Sequence, residues 1–147
     1  MTVHLLKMAV GIESVDHLRA VQRRRLAEAR KAGGTGDLRH FTRNMPKRDA
    51  DVLDGGSIFW VVKGYVRVRQ RIVGLERITR EDGRKRCAFI LDPELVPTVL
   101  QPQKPIQGWR YLEPESAPAD LADSPASDAD SAMPPEMAAE LRALGLI

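Results

Sequence analysis

SIFWVVKGYVRVRQRIVGLERIT, residues 57 to 79, is the stretch on which the fold reading turns. Val, Ile, Phe, Trp and Tyr dominate it, which favours half-buried pleated strands over helix. Gly64 marks a tight turn or a bulge within it, and Gly74 is a second punctuation. In YVRVRQRIV, Tyr65 to Val73, arginines stand at every second position. Because successive strand side chains point to opposite faces, the pattern predicts Arg67, Arg69 and Arg71 as a ladder on one wetted face. Its rungs would repeat about every 6.7 Å, with Val66, Val68 and Ile72 facing the core. Such a ladder suits a phosphate backbone, since a guanidinium binds phosphate bidentately. It equally suits an exposed face kept soluble by charge and paired with Glu76 or Glu81.

Working outward, VHLLKMAV (residues 3 to 10) reads as a buried opening strand ended by Gly11. Ser14 is placed to cap an amphipathic helix of about five turns, with Val15, Leu18, Val21, Leu26 and Ala29 at helical spacing up to the AGGTG break at 32 to 36. LRHFT (38 to 42) looks extended, Pro46 opens a short helix to Leu53, and Asp54-Gly55-Gly56 is a turn. On the other side, Glu81-Asp82-Gly83 forms a hairpin loop into a strand from Lys85 to Leu91, closed by Asp92-Pro93. Three prolines make residues 96 to 105 irregular or an edge, and QGWRYL (107 to 112) returns to the sheet. The sum is an α+β domain over residues 1–112: a small antiparallel, partly closed β-barrel with one long N-terminal helix and a short second helix.

Charge divides the chain at the end of that domain. Met1 to Leu112 carries 22 Lys and Arg against 12 Asp and Glu, whereas Glu113 to Ile147 carries 1 against 8. Ala, Ser, Pro and Asp dominate the latter segment, too little apolar bulk to offset ordering entropy. Residues 113–134 therefore read as a disordered acidic linker and 135–147 as a short C-terminal helix, a potential protein-partner tip. A basic body joined to an acidic tail points to a polyanionic partner, with a tail that shields it or keeps it soluble. The lone Cys87 excludes an internal disulfide, no 18-residue apolar run exists, and Lys7 interrupts the opening apolar stretch without a cleavage site following. The expectation is a cytoplasmic protein with no membrane association.

Catalytic signals are sparse. His4, His17, His40 and Cys87 show no ligand spacing, so no metal and no cofactor is expected; GGTG at Gly33 lacks the continuation of a phosphate-binding loop. A second basic cluster, Arg39, His40, Arg43, Lys47 and Arg48, precedes the short helix and is either an anion site or scattered surface charge. Trp60, flanked by apolar residues, reads as core. Trp109, beside Gly108 and Arg110, reads as either a core plug or a ligand wall.

The blocks DGGSIFWVVKG, RQRIVGLE, DGRKRCAFILDPELV and QGWRYL resemble a family of small, mostly alphaproteobacterial proteins classified only as a domain of unknown function (DUF1489-like). That resemblance implies no activity. Asp54 through Glu76 is also similar, at the level of fold, to PUA-like barrels of the ASCH and EVE groups. This second resemblance implies RNA or modified-base binding, or, in a few ASCH proteins, amide hydrolysis of modified nucleosides by Lys, Thr and Glu. Lys63, Thr42 and Glu76 would then take those catalytic roles. The leading expectation is binding of RNA or another phosphorylated ligand through Arg67, Arg69, Arg71, Arg43 and Lys47, with Trp109 and Arg110 as a stacking wall. Whether the chain is an enzyme stays open, with the hydrolase and a protein-interaction adaptor as alternatives.

Overall fold

A computed structural model describes residues 1–33 and 37–123. Among these residues seven strands form one sheet: β1 (His4–Met8), β2 (Leu38–Thr42), β3 (Ser57–Val62), β4 (Tyr65–Thr79), β5 (Lys85–Leu91), β6 (Val96–Pro102) and β7 (Trp109–Leu112). Two helices, α1 (Val15–Lys31) and α2 (Asp49–Leu53), lie between the early strands. The order across the sheet is β2-β5-β4-β3-β1-β7, with β6 also on β4. β5 and β6 share one edge of β4, pairing with its second and first halves.

This arrangement corrects the expected partly closed antiparallel barrel of PUA type. β1 runs parallel to β3, Leu5 beside Ile58 and Lys7 beside Trp60, so the sheet is mixed. β2 and β7, the ends of the path, do not pair, so it is open. Among the described residues the helices are α1, 17 residues, and α2, 5 residues, both short beside the seven-stranded sheet. Gly33, with φ of 79°, follows the last turn of α1 and directs the chain out of the helix.

Local chemistry explains the strand geometry. The β3–β4 turn is the two residues Lys63 and Gly64, both with positive φ (51° and 82°), the backbone that matches the twist of a hairpin. Gly56 sits so close to the carbonyl oxygens of Val52 and Val3 that a Cβ there would collide with backbone. Along β4, Trp60 pairs with Val68 but Val61 pairs with Val66, so Arg67 is an extra residue, a β-bulge. A second shift falls between Ile72 and Gly74. Each bulge changes which face the following residues occupy.

The sheet separates two apolar clusters. On the face that carries α1, Leu5, Leu18, Ile58, Trp60, Val68 and Phe89 form the main core. On the opposite face Leu6, Phe59, Val61 and Val66 are covered by Ile106 and Ala117. We call these the helix face and the tail face. Val66 thus belongs to the tail face, the bulge at Arg67 having separated it from Val68.

A polar pin joins α1 to the sheet. Gln22 and Gln70 are buried and exchange two amide hydrogen bonds of 2.9 Å each. Gln70 Oε1 also accepts from Trp60 Nε1 at 3.1 Å, and its Nε2 donates to the Asp92 carbonyl at 2.8 Å. A fully satisfied buried network of this kind fixes one packing of helix on sheet, because leaving any member unpaired costs about 1–3 kcal/mol. At the helix start Ser14 Oγ accepts from the His17 amide at 3.0 Å.

Beyond β7 the chain continues along the sheet through Asp123. It holds two 3-10 turns, Pro114–Ser116 and Leu121–Asp123, and between them it is tied to β6 by a bridge from Thr98 to Asp120 and by a hydrogen bond from the Val99 amide to the Ala119 carbonyl at 2.9 Å. This is the first part of the segment read as a linker; its remainder and the 135–147 helix lie outside the described residues.

Candidate functional site

The arginines of β4 do not form the expected ladder. Arg67, the bulged residue, donates from Nε to the Val62 carbonyl at 2.7 Å, and its guanidinium stands over the Tyr65 ring at 5.2 Å. Arg69 is held by both oxygens of Asp120, Nε at 2.6 Å and Nη2 at 2.7 Å, and by Ser57 Oγ at 3.2 Å. The Asp120 carboxyl is held below the usual carboxylate range by that hydrogen bonding and charge. The cost is shared with His4, whose pKa is lowered by burial first and by the Arg69 charge second. Arg71 is exposed. Arg110 joins this face: Arg69 pairs with Phe59, Phe59 with Leu6 and Leu6 with Arg110 across four strands. Trp109 and Arg110, adjacent on β7, consequently point to opposite faces and cannot form one wall.

Three other predicted residues do come together. Arg43, Lys47 and Trp109 line a cleft of about 450 Å³ between the β2–α2 loop, the β4–β5 hairpin and β7. Arg77, Lys85 and Arg86 complete its charge, and Tyr111 adds a second ring. Among the described residues no carboxylate lines it. Among the described residues none of the five cations has an ion pair; Arg77 Nε contacts Met45 Sδ at 3.0 Å. By contrast Arg19, Arg39, Arg48, Lys63 and Arg69 are each salt-bridged elsewhere on the molecule.

The rings are held from behind. Trp109 Nε1 donates to the Asn44 carbonyl at 3.0 Å, which ties β7 to the β2–α2 loop. The Tyr111 hydroxyl accepts from the Arg48 amide at 3.1 Å, and the Arg48 guanidinium lies 5.6 Å from its ring centre. Arg48 is in turn fixed by Asp51 at 3.1 Å and Glu113 at 2.7 Å. The two rings meet edge to face at 5.0 Å. These bonds pre-order the aromatic side of the cleft, which reduces what a ligand must spend on ordering it.

The residues suggested for hydrolysis do not converge. Lys63, in the β3–β4 turn, pairs with Glu13 at 2.7 Å. Glu76, eleven residues along β4 from the turn's end, pairs with Arg39 at 2.8 Å, and Thr42 Oγ1 donates to the Asn44 carbonyl at 3.0 Å. At about 3.3 Å per strand residue, the eleven steps from Tyr65 to Glu76 alone span up to about 36 Å, so Lys63 and Glu76 lie far apart. Cys87 is buried, which raises its thiol pKa. Among the described residues no three His, Cys, Asp or Glu side chains are grouped to hold a metal ion.

Sequence reasoning missed Arg77, Lys85 and Arg86. Lys85 and Arg86 were visible as a basic run after the hairpin loop, but only the bulge near Gly74 and the fold of the β2–α2 loop place them with Arg43 and Lys47. Fold and cleft together define an open mixed-sheet α+β protein with a cationic, aromatic-edged groove. The chain belongs to the DUF1489 family of proteins of unknown function, whose profile it matches over residues 5–147. No curated protein and no solved structure matches it, so no fold neighbour supports the PUA-like resemblance. No helix among the described residues is long and apolar enough to cross a membrane.

Proposed function

We propose that the chain binds single-stranded RNA in the cleft between the β2–α2 loop, the β4–β5 hairpin and β7. The observation that carries the reading is the gathering of Arg43, Lys47, Arg77, Lys85 and Arg86, unpaired among the described residues, beside Trp109 and Tyr111. Cations without carboxylate partners hold counterions, and a polyanion that displaces them gains the entropy of their release. A ring at the edge of such a groove stacks any base, since every base has a π face. A cleft of this size admits a nucleotide but not a duplex, whose recognition needs a helix or ribbon in a groove or a shape-matched surface.

Fluorescence anisotropy of a labelled single-stranded RNA, measured from low to physiological salt, tests it. With five phosphate contacts the slope of log K against log salt is expected near −3.5, from about −0.7 per contact. Absence of binding at low ionic strength contradicts the proposal. So does a salt-independent affinity.

A further inference from the structure

A second, smaller cavity lies apart from the cleft, among the end of β1, α1 and β2, with Trp60 in its wall. It encloses about 220 Å³. Among the described residues its charged lining is cationic, Lys7 from β1, Arg25 from α1 and Arg39 from β2, with the neutral His40 beside them. Arg39 is taken up by Glu76, whereas Lys7 and Arg25 have no ion pair among the described residues. Lys7 is only partly exposed, and burial lowers its pKa.

His40 sharpens the picture. Its Nε2 is buried and, among the described residues, has no hydrogen-bond partner, while its ring stands edge-on to Trp60 at 5.0 Å. Burial, then the charges of Lys7 and Arg25, push its pKa down to about 4, so the imidazole is neutral at pH 7. A buried polar atom without a partner costs about 1–3 kcal/mol. Two cations beside it, with no carboxylate in the wall, leave an excess of positive charge in a poorly solvated place. An anion bound here would relieve that excess of charge. The remaining wall, Ile12, Leu18, Val21 and Leu91, is apolar.

We propose that this cavity binds a small organic carboxylate. Lys7 and Arg25 hold the head group beside the His40 ring, and Leu18, Val21 and Trp60 cover an apolar body. At about 30 Å³ of liquid volume per water the cavity holds roughly seven water volumes, a space suited to a single ring or short branched chain. Inorganic phosphate fits less well, because it asks for donors on every side and half of this wall offers none.

The test is an NMR titration of the full chain, labelled at histidine, with benzoate, acetate and inorganic phosphate in turn. Benzoate is expected to shift the His40 resonances saturably, with a Kd at least tenfold below that of acetate. Lys7→Met is expected to weaken benzoate at least tenfold, and Arg25→Gln provides the same comparison should Lys7→Met not fold. Lys85→Glu, in the RNA cleft, is expected to leave benzoate binding unchanged, so failure of one site is distinguishable from failure of the other. The proposal is overturned if His40 gives no saturable response to millimolar benzoate, if phosphate binds more tightly than benzoate, or if the folded Lys7 or Arg25 variant binds benzoate as the parent does.

Discussion

On the tail face of β4, Arg69 is closed by both oxygens of Asp120 and Arg67 is turned back onto Val62 and Tyr65. In the cleft, Arg43, Lys47, Lys85 and Arg86 meet no carboxylate among the described residues. Both regions are rich in arginine, and within the tidier sequence pattern Arg69 already has its counter-charge while Arg67 is turned back onto its own hairpin. Charge becomes available to a partner only where the fold has not supplied the counter-charge itself. The tail segment supplies one such counter-charge, Asp120 to Arg69, in a pair about three-quarters buried on each side. Such a pair binds the segment down, with most of its Coulomb gain offset by desolvation.

The largest effect expected from this contrast is on RNA affinity. Reversing two cleft charges, Lys85→Glu with Arg86→Glu, should lower it at least a hundredfold, and the salt slope should flatten by about 1.4 at about 0.7 per lost contact. Anisotropy titrations measure both. Next comes the ring: Trp109→Ala should weaken binding about tenfold, within the roughly 1–3 kcal/mol of one stacked base, while Trp109→Phe restores most of it. A deficit equal in both variants would instead point to the lost Nε1 bond to Asn44.

Asp120→Asn tests the other side of the comparison. It should leave RNA affinity within twofold while lowering stability by about 1–3 kcal/mol, read from urea unfolding at pH 7, because Arg69 loses its charged partner. A marked gain in affinity would mean that the tail face is the interface and Asp120 its shield. The sign with pH follows from the lowered carboxyl pKa. Asp120's contribution is fully present above its unfolded value, about 3.9, and is lost as pH falls through the folded one. Asp120→Asn should therefore remove part of the acid sensitivity of unfolding. The smallest effect is expected from Arg67→Ala with Arg71→Ala, less than a threefold change in RNA affinity.

What the sequence disclosed was local. The strand character of residues 57–79, the turn at Gly64 and the capping place of Ser14 all rest on near-neighbour sterics and hydrogen bonds. Two things defeated alternation as a guide to faces. The bulge at Arg67 leaves no trace in composition, and the parallel placement of β1 beside β3 depends on crossovers that no spacing encodes. The cleft was half legible: Arg43, Lys47 and Trp109 stood out as residue types, but their meeting with Arg77, Lys85 and Arg86 is a property of the β2–α2 loop and the hairpin together. Lys7 drew notice only for interrupting an apolar run. Its nearness to Arg25 and to a buried, unpartnered imidazole nitrogen is tertiary.

Photo-crosslinking of the full chain to a 4-thiouridine-bearing single strand, with the adducts located by peptide mass spectrometry, tests the central claim most directly. Adducts on Trp109, Tyr111 and the segment containing Lys85 and Arg86 are the predicted result. Adducts concentrated on Tyr65 to Arg71, with the cleft peptides unmodified, would contradict it.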